Sequence, residues 1–374
     1  MGRINIYSTS GSNKASLEYD GASDVTVDAA HLTGTSSNVQ TQLNTNATAV
    51  QNVITKSATA PSSPSNGDFW YNTDTASFYF YDGSAWQLIK QSFSATGGSV
   101  TESQGNRIHT FTSSGTFTVT KGQAEVEYVV VAGGGAGGAD DGGGGGAGGY
   151  RSSVQGEPSG GGASAENKIL VTQGSYTVTI GAGCPGVEHP GNRTTSTGGD
   201  TTFGSITAAG GGMGGHTDGI GTGYIGSPGG SGGGNHQAPN DAAAGSGTTG
   251  QGYAGGRGDG NLGGNVYAGG GGGAAEAGNT DGLCHGGDGV QTSINGTPTH
   301  LAGGGGGGHR LDSSSRPGGN GGGGNGSHLT SSNTGSAGAA NTGGGGGGGP
   351  GTGSASERRG HAGGSGIVII RYPI

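Results

Sequence analysis

Alternating apolar and polar residues predict short β-strands at the start of the chain. Residues 4–7, 15–19 and 25–27 show this alternation and are separated by Gly, Asn and Asp residues, which favour turns. We therefore expect residues 1–35 to form a small β region.

The pattern changes to a seven-residue repeat in residues 36–59. Five residues there are separated by alternating steps of four and three: Val39, Leu43, Asn46, Val50 and Val53. This spacing predicts one seam of a coiled coil, in which a polar residue fixes register and oligomeric state. The seam is too short to be stable alone, so we expect a short parallel bundle, trimeric by preference, held by fibrous parts at either end. The alternative is a single amphipathic helix packed on its own domain.

Residues 60–96 are predicted to form a linker and an aromatic β-meander. The segment 60–66 is broken by two prolines, and turn residues at 72–74 and 82–84 separate three stretches rich in aromatic side chains. Both tryptophans of the protein lie in this segment. A platform for sugars is one interpretation, but the aromatic residues of so small a sheet are expected to form its own core.

Residues 97–374 combine a β framework with glycine runs. We predict a hairpin between 108–112 and 115–119, and a strand at 126–131 that leads directly into the first glycine run. The segment 366–372 is apolar on both faces, which is typical of a centrally buried strand. Further strands are predicted at 168–172, 176–180, 201–203 and 206–208.

Glycine dominates this last part of the chain. Six of the 98 glycines precede residue 97, which leaves 92 among the last 278 residues. Each ordered glycine costs about 0.5–1 kcal/mol more than alanine in backbone entropy, so the backbone geometry must require residues without Cβ. The longest runs are 142–146, 269–273, 303–308, 321–324 and 343–349.

Three states accept such a composition. Disorder is common in glycine-rich chains, whereas collagen requires glycine at every third position and much proline, which the consecutive glycines and 11 prolines exclude. We favour packed polyglycine II helices with three residues per turn, whose N–H and C=O groups bond to neighbouring helices. The pattern leaves open whether these helices pack within one chain or between chains.

Charge and hydropathy exclude several classes of partner. The net charge is −9, and the 15 basic residues form no stripe that would suit nucleic acid. No apolar stretch of 18 residues occurs and the start lacks a signal-peptide pattern, so we expect a soluble protein made in the cytoplasm, with no membrane insertion. The two cysteines, Cys184 and Cys284, are expected to be free thiols.

Motifs for catalysis are weak in this background. Residues 229–233 match the nucleophile-elbow pattern only because glycine fills it, and no strand precedes them. Cys284 and His285, with Asp281 and Asp288, are the one candidate metal group, but adjacent ligands chelate awkwardly. We therefore predict no catalytic residues, no metal, no cofactor and no enzymatic activity.

Two segments resemble parts of virion proteins of tailed bacteriophages. HLTGTSSNVQTQLNTN at 31–46 is similar to a helix-and-linker element of tail fibres, and GDFWYNTDTASFYFYDGSAWQLI at 67–89 is similar to a small meander in the same proteins. Residues 100–374, with EYVVVAGGGAGG and GGSGIVIIRY near the ends, resemble a glycine-rich domain at the C-terminal end of many phage tail fibres. The runs with interposed loops also resemble the adhesins that cap the long tail fibres of T-even-like phages.

The resemblance implies a receptor-binding tail fibre located in the virion. Residues 1–35 would attach to other tail or virion proteins, 36–59 would trimerise, 60–96 would be the linker and meander, and 97–374 would bind a host-surface glycan or outer-membrane protein. The alternatives are a structural fibre or decoration protein without a receptor, an enzyme that degrades surface polysaccharide, and an ice-binding protein. Aromatic and planar donor side chains suit such receptors, and the candidate contacts are Tyr224, His236, Tyr253, Tyr267, His309, Arg310, His328 and Arg358.

Overall fold

The structure is a computed structural model in which strands dominate. The described residues form several separate sheets, and their only helix is one 3₁₀ turn at Gly160–Gly162. Two compact units, Met1–Gln91 and Ser92–Ile374, divide the chain. The residues described are 2–7, 14–19, 26–27, 54–74, 77–89, 93–188, 197–217, 225–236, 243–262, 265–309, 316–328, 335–351, 354 and 358–374.

The first unit begins with the small sheet that alternation predicts. Strands β1 (Gly2–Tyr7), β2 (Lys14–Tyr19) and β3 (Thr26–Val27) are antiparallel in the order β1-β2-β3. The whole predicted coiled-coil seam, from Val39 to Val53, lies outside the described residues.

The aromatic meander is confirmed, with one additional strand. Strands β5 (Phe69–Asn72), β6 (Ser77–Tyr81) and β7 (Trp86–Leu88) are antiparallel, and β4 (Ile54–Ser57) lies parallel to β5. Side chains cap both predicted turns, since Asn72 accepts from the Asp74 amide at 2.9 Å and Asp82 accepts from the Ala85 amide at 2.8 Å.

Trp70 is the centre of this small sheet. It is 6% exposed, stacks on Tyr79 at 4.7 Å, and donates from Nε1 to the Ser57 carbonyl at 3.1 Å. The aromatic residues on this face therefore serve as core, as expected from the size of the sheet.

The second unit contains a sandwich of two sheets. One sheet has the order β13-β12-β22-β10-β9, with β14 also paired to β12, and the other has the order β17-β16-β15-β11-β8. Their strands are β8 (Ser94–Thr96), β9 (Ser99–Ser103), β10 (Asn106–Phe111), β11 (Gly115–Lys121), β12 (Ala124–Val131), β13 (Tyr150–Ser152), β14 (Ile169–Val171), β15 (Gly174–Thr179), β16 (Thr201–Phe203), β17 (Ile206–Ala208) and β22 (Ile367–Pro373).

Apolar side chains from both sheets form the core between them. Phe117 and Phe203 from one sheet meet Tyr128, Val130 and Ile370 from the other, and all are at most 1% exposed. Two further hairpins, β18–β19 (Asp259–Leu262 and Asn265–Tyr267) and β20–β21 (Val290–Thr292 and Thr299–Leu301), lie among the glycine runs. The sequence pattern predicted no strand in either region.

The predicted hairpin between 108–112 and 115–119 is wrong. Strand β10 pairs with β22 and β9, whereas β11 pairs with β15 and β8, so the two strands belong to opposite sheets. The physical reason is that two successive strands that face one core from opposite sides show the same alternation as a hairpin. Alternation shows which face of a strand is buried, but it does not identify the strand to which it is hydrogen-bonded.

The last strand is central, as its two apolar faces predict. Strand β22 lies between β12 and β10 and is antiparallel to both. Val368 and Ile370 face the sandwich core, while Ile367 and Ile369 join a second cluster on the other face of the sheet.

The glycine runs hydrogen-bond to one another with a period of three residues. In the run 142–149 every third amide donates to one neighbouring run: Gly142 to Gly349, Gly145 to Gly346 and Gly148 to Gly343. A second neighbouring run accepts from the next set of amides: Gly143 donates to Gly215, Gly146 to Gly212 and Gly149 to Ala209. A third run accepts from the remaining amides, with Gly144 donating to Gly269 and Ala147 to Gly272. All eight distances are 2.8–3.0 Å. Successive amides thus point in three directions.

The run 142–149 is surrounded by other segments of the same chain. It donates to 343–349, 209–215 and 269–272, and its carbonyls accept from 132–138, 231–234 and 305–308. We call this assembly of hydrogen-bonded runs the glycine lattice. It packs within one chain, which answers for this run the question that the sequence left open.

Close approach of neighbouring backbones explains the need for glycine. A Cβ placed on any of Gly142, Gly143, Gly144, Gly145 or Gly146 would lie closer than 3.0 Å to a carbonyl oxygen of an adjacent run. Alanine occurs where the lattice meets apolar side chains instead: Ala147 is fully buried in the cluster that contains Tyr150, Leu301 and Ile369.

We predict that Gly145→Ala destabilises the second unit, because its methyl group would overlap the Gly135 carbonyl. Overpacking of this kind costs about 1–3 kcal/mol or more, which denaturant unfolding would measure. Gly115→Ala is the matched control, since its Cβ would lie at an ordinary 3.7 Å from the Phe111 ring. Equal stability of the two variants would contradict the close packing.

We also predict that acidification destabilises the sandwich through His109. Its Nδ1 donates to the Gly97 carbonyl at 2.7 Å, and its Nε2 accepts from the Tyr372 hydroxyl at 3.1 Å. Burial lowers the pKa of His109, so the unfolded chain binds the proton more readily. The contribution of His109 to the free energy of unfolding is therefore fully present above the unfolded pKa of about 6.5. It is lost as the pH falls towards the folded pKa.

The measurement is urea unfolding at about pH 7.5 and about pH 5, on either side of the unfolded histidine pKa. His109→Gln should lose less stability between these two values than the native chain does. It should keep part of the loss, because burial also lowers the pKa values of His236 and His361. An unchanged loss in the variant would show that His109 does not contribute.

Candidate functional site

The glycine lattice has two different ends. At one end, Ala132 and Gly149 are hydrogen-bonded to each other and adjoin strands β12 and β13, and Gly149 donates to Ala209 directly after β17. We call this the strand end. At the other end, Gly142 bonds to Gly349 and Gly308, and we call it the loop end.

The chain repeatedly runs from the strand end to the loop end and back. Outgoing segments reach the loop end at 138–140, 215–217, 234–236, 308–309, 326–328 and 349–351. The hydrogen bonds of Gly142, Gly143 and Gly144 place five of them there, and those of Ser327 with Gly348 and His309 place the segment 326–328. The connections after five of these segments, at 218–224, 237–242, 310–315, 329–334 and 352–357, lie outside the described residues apart from Ser354. The described ends of the five segments that precede these connections therefore lie together at one end of the lattice.

The turn that closes the first pair of runs is held by an ion pair. Asp140 and Asp141 have positive φ angles of 58° and 52° and are 5% and 0% exposed. Arg358 donates to Asp140 Oδ1 from both Nε, at 2.9 Å, and Nη2. Thr217 donates to Asp140 Oδ2 at 2.6 Å, and the Asp140 amide donates to the Arg358 carbonyl at 2.9 Å. Arg358, a predicted contact residue, is thus part of the structural support of the loop end.

Three other predicted contact residues come together beside Arg316. Tyr267 and His309 form an isolated antiparallel bridge, and the rings of His309 and His328 are 5.6 Å apart. The Arg316 guanidinium lies over the Tyr267 ring, 5.2 Å from its centroid, a geometry that favours cation–π attraction. We call these four residues the ring cluster. His309 is fully buried, whereas the other three are partly exposed.

The remaining predicted contact residues are divided. His236 lies at the loop end but is only 7% exposed, and burial lowers its pKa against an opposing effect of Asp140. Tyr253 lies nearer the strand end, where its amide donates to the Gly273 carbonyl and its carbonyl accepts from Gly232. Tyr224 and Arg310 fall outside the described residues.

Three carboxylates form the one cluster of metal-ligating side chains found among the described residues. Oxygens of Glu276, Asp281 and Asp288 lie within 4.8 Å of one another. Asp288 accepts from the Asn320 amide at 2.6 Å and from Asn320 Nδ2 at 2.8 Å, and burial raises the pKa of Glu276. The structure thus brings Glu276 to the two aspartates that the sequence had grouped with Cys284 and His285. Protein donors already engage the Asp288 carboxylate.

Both cysteines are buried, and neither forms a disulfide bond. Burial raises the pKa of the Cys184 thiol, which disfavours the reactive thiolate. No helix among the described residues has the length and apolarity needed to cross a membrane.

Sequence analysis missed three residues of the loop end. Asp140, Thr217 and Arg316 were not proposed, although each orients a predicted contact residue or supports the turn beside it. The sequence did carry one signal, because Asp140 and Asp141 are an acidic pair between two glycine runs. A charged pair in a segment of closely packed backbone requires a specific partner.

The fold and the lattice define a mainly β protein with a glycine-rich second unit. The chain belongs to the glycine-rich domain family, whose sequence model matches residues 110–373. A search of curated proteins finds no match to this chain.

We predict that Arg358→Ala destabilises the loop end by about 3 kcal/mol, because it leaves the buried Asp140 carboxylate without its cation. Denaturant unfolding of the full chain would measure this. Arg359→Ala removes an exposed neighbouring charge and should change stability by less than about 0.5 kcal/mol. The ion pair would be unimportant if both variants unfolded alike.

Proposed function

We propose that this protein is a bacteriophage tail fibre that binds the host cell surface through the loop end of its glycine lattice. Its receptor would be a polysaccharide or an outer-membrane protein. Residues 1–35 would attach to other tail or virion proteins, and the protein would act by binding, without catalysis or a cofactor.

The arrangement of the loop end is the observation that supports this proposal. Six outgoing segments of the chain end together at one end of a scaffold built from paired backbone. Loops on a rigid scaffold are a common basis of recognition. Of the predicted contact residues, His236, Tyr267, His309, His328 and Arg358 lie at this end.

The partly exposed residues of the ring cluster are the best candidates for direct contact. Tyr267 and His328 offer aromatic faces, and Arg316 offers a planar donor held over the Tyr267 ring. Such groups stack on sugar rings and bind carbonyl or carboxylate oxygens. A receptor could reach His309 only after this surface had opened, because its side chain is fully buried.

Two finer features of the architecture belong to the same proposal. The three-residue hydrogen-bond period supports a lattice of polyglycine II helices. The spacing of Val39, Leu43, Asn46, Val50 and Val53 supports a short coiled coil that joins three copies of the chain.

Adsorption to host cells tests the receptor role. Purified protein should bind host cells and block infection, and Tyr267→Ala combined with His328→Ala should weaken binding at least about tenfold, as expected when contact residues are truncated. Tyr253→Ala, near the strand end, should change binding less than about twofold, and melting temperatures would confirm that both variants are folded.

The alternative is a structural fibre or decoration protein without a receptor. It would be favoured if the purified protein neither bound host cells nor blocked infection. If the native protein bound and both variants bound equally well, the receptor role would stand and its location in the ring cluster would be wrong.

A further inference from the structure

The sheet β4–β7 of the first unit has a second apolar face that its own chain leaves partly exposed. The register places Ile54, Phe69 and Phe80 in one row across three strands, and Tyr71 and Phe78 in the next. The amide of Ile89 donates to the Phe78 carbonyl at 2.8 Å, which extends the second row to the residue directly after β7. We call these six residues the apolar face.

The apolar face combines several partly exposed apolar side chains. On the opposite face, Trp70 is 6% exposed and Leu88 is 50% exposed. On the apolar face, Ile54, Phe80 and Ile89 are 43%, 37% and 38% exposed. The aromatic rings of this face also contact one another, and the ring centroids of Phe69 and Phe78 are 5.6 Å apart. The exposed residues are therefore neighbours in a continuous patch, which is typical of an interaction surface.

The border of the apolar face resembles the rim of a protein interface. Lys56 is in register with Tyr71, and Gln87 is in register with Phe80, so both end the apolar rows at the outer strands. Interfaces combine an apolar centre with a polar, solvent-accessible rim. The patch thus has the composition of a surface that another protein covers.

Its position in the chain indicates which protein this is. The predicted seam ends at Val53, and β4 begins at the next residue, Ile54. Helices of a coiled coil pack with their axes about 8–10 Å apart, and one extended residue advances the chain by only about 3.3 Å. Copies joined at the seam would therefore begin their β4 strands close together, with Ile54 beside the common axis.

We propose that the apolar face is the contact between copies of this chain, directly after the predicted coiled coil. This inference rests on the homotrimer of the proposed function and adds the surface that would hold it together. It also supplies a reason for so short a seam: the sheets after it would contribute the additional buried apolar area.

Mass measurement over a dilution series tests the inference in the full chain. The native protein should have the mass of three chains, and Ile54→Thr combined with Phe80→Thr should raise the concentration at which it dissociates at least about tenfold, since burial of the apolar face would be reduced. Threonine keeps the preference for strand conformation. Leu88→Thr is the matched control, because Leu88 is 50% exposed on the opposite face of the same sheet.

Tryptophan emission reports whether the sheet remains folded, because Trp70 and Trp86 both lie in it. A native protein that is monomeric at every concentration would overturn both the trimer and this inference. A native trimer whose double variant dissociates no more readily than Leu88→Thr would overturn the inference alone.

Hydroxyl-radical footprinting of the native protein decides the matter if the double variant unfolds. The side chains of Ile54, Phe80 and Ile89 should be oxidised much less than Leu88, although the four have comparable exposure in the single chain. Equal oxidation of the two faces would overturn the inference.

Discussion

The closeness of neighbouring backbones is the constraint on which the second unit depends. At each of Gly142 to Gly146, the position that a Cβ would occupy is filled by a carbonyl oxygen of an adjacent run. The same approach lets all eight amides of this run donate to other segments. Each such bond contributes about 0.5–1.5 kcal/mol net, which is similar to the extra entropy cost of about 0.5–1 kcal/mol for ordering each glycine. The lattice is therefore stable only when nearly every backbone group is paired, and a single methyl group disturbs several bonds together.

Side chains accordingly lie at the borders of the lattice. At the strand end, Ala147 enters an apolar cluster with Tyr150, and the isoleucines of β22 extend that cluster to the central sheet. At the loop end, Asp140 and Arg358 close a turn, and the ring cluster packs against the last residues of the runs. Because backbone groups make the bonds inside the lattice, the composition of the connecting segments is constrained only where they enter it. Such a scaffold separates stability from recognition.

The sequence predicted most strands of the meander and the sandwich, but it missed β4 and β18–β21 and predicted strand partners poorly. Strand positions followed from alternation, and the double-sided burial of β22 followed from its two apolar faces, but β10 and β11 were assigned to one hairpin. The three-residue hydrogen-bond period agrees with the expectation from oligoglycine runs, since only residues without Cβ permit that approach. The grouping of Tyr267, His309 and His328 with Arg316 could not be predicted, because it depends on which runs are adjacent. A sequence of glycines contains little information about which runs are neighbours in the lattice.

Register is the remaining problem for a lattice of nearly identical residues. A run that slipped by three residues would recover equivalent backbone bonds, so those bonds alone select no alignment. The alanines remove this degeneracy. If the run 142–149 slipped by one period, the methyl group of Ala147 would take the place of the Gly144 hydrogen, which faces the Gly305 carbonyl. In the observed register that methyl group lies in an apolar cluster instead. The pairing of β12 with β22 also fixes the register. Strand β12 leads into the first run and β22 follows the last, so their pairing aligns these two runs with each other.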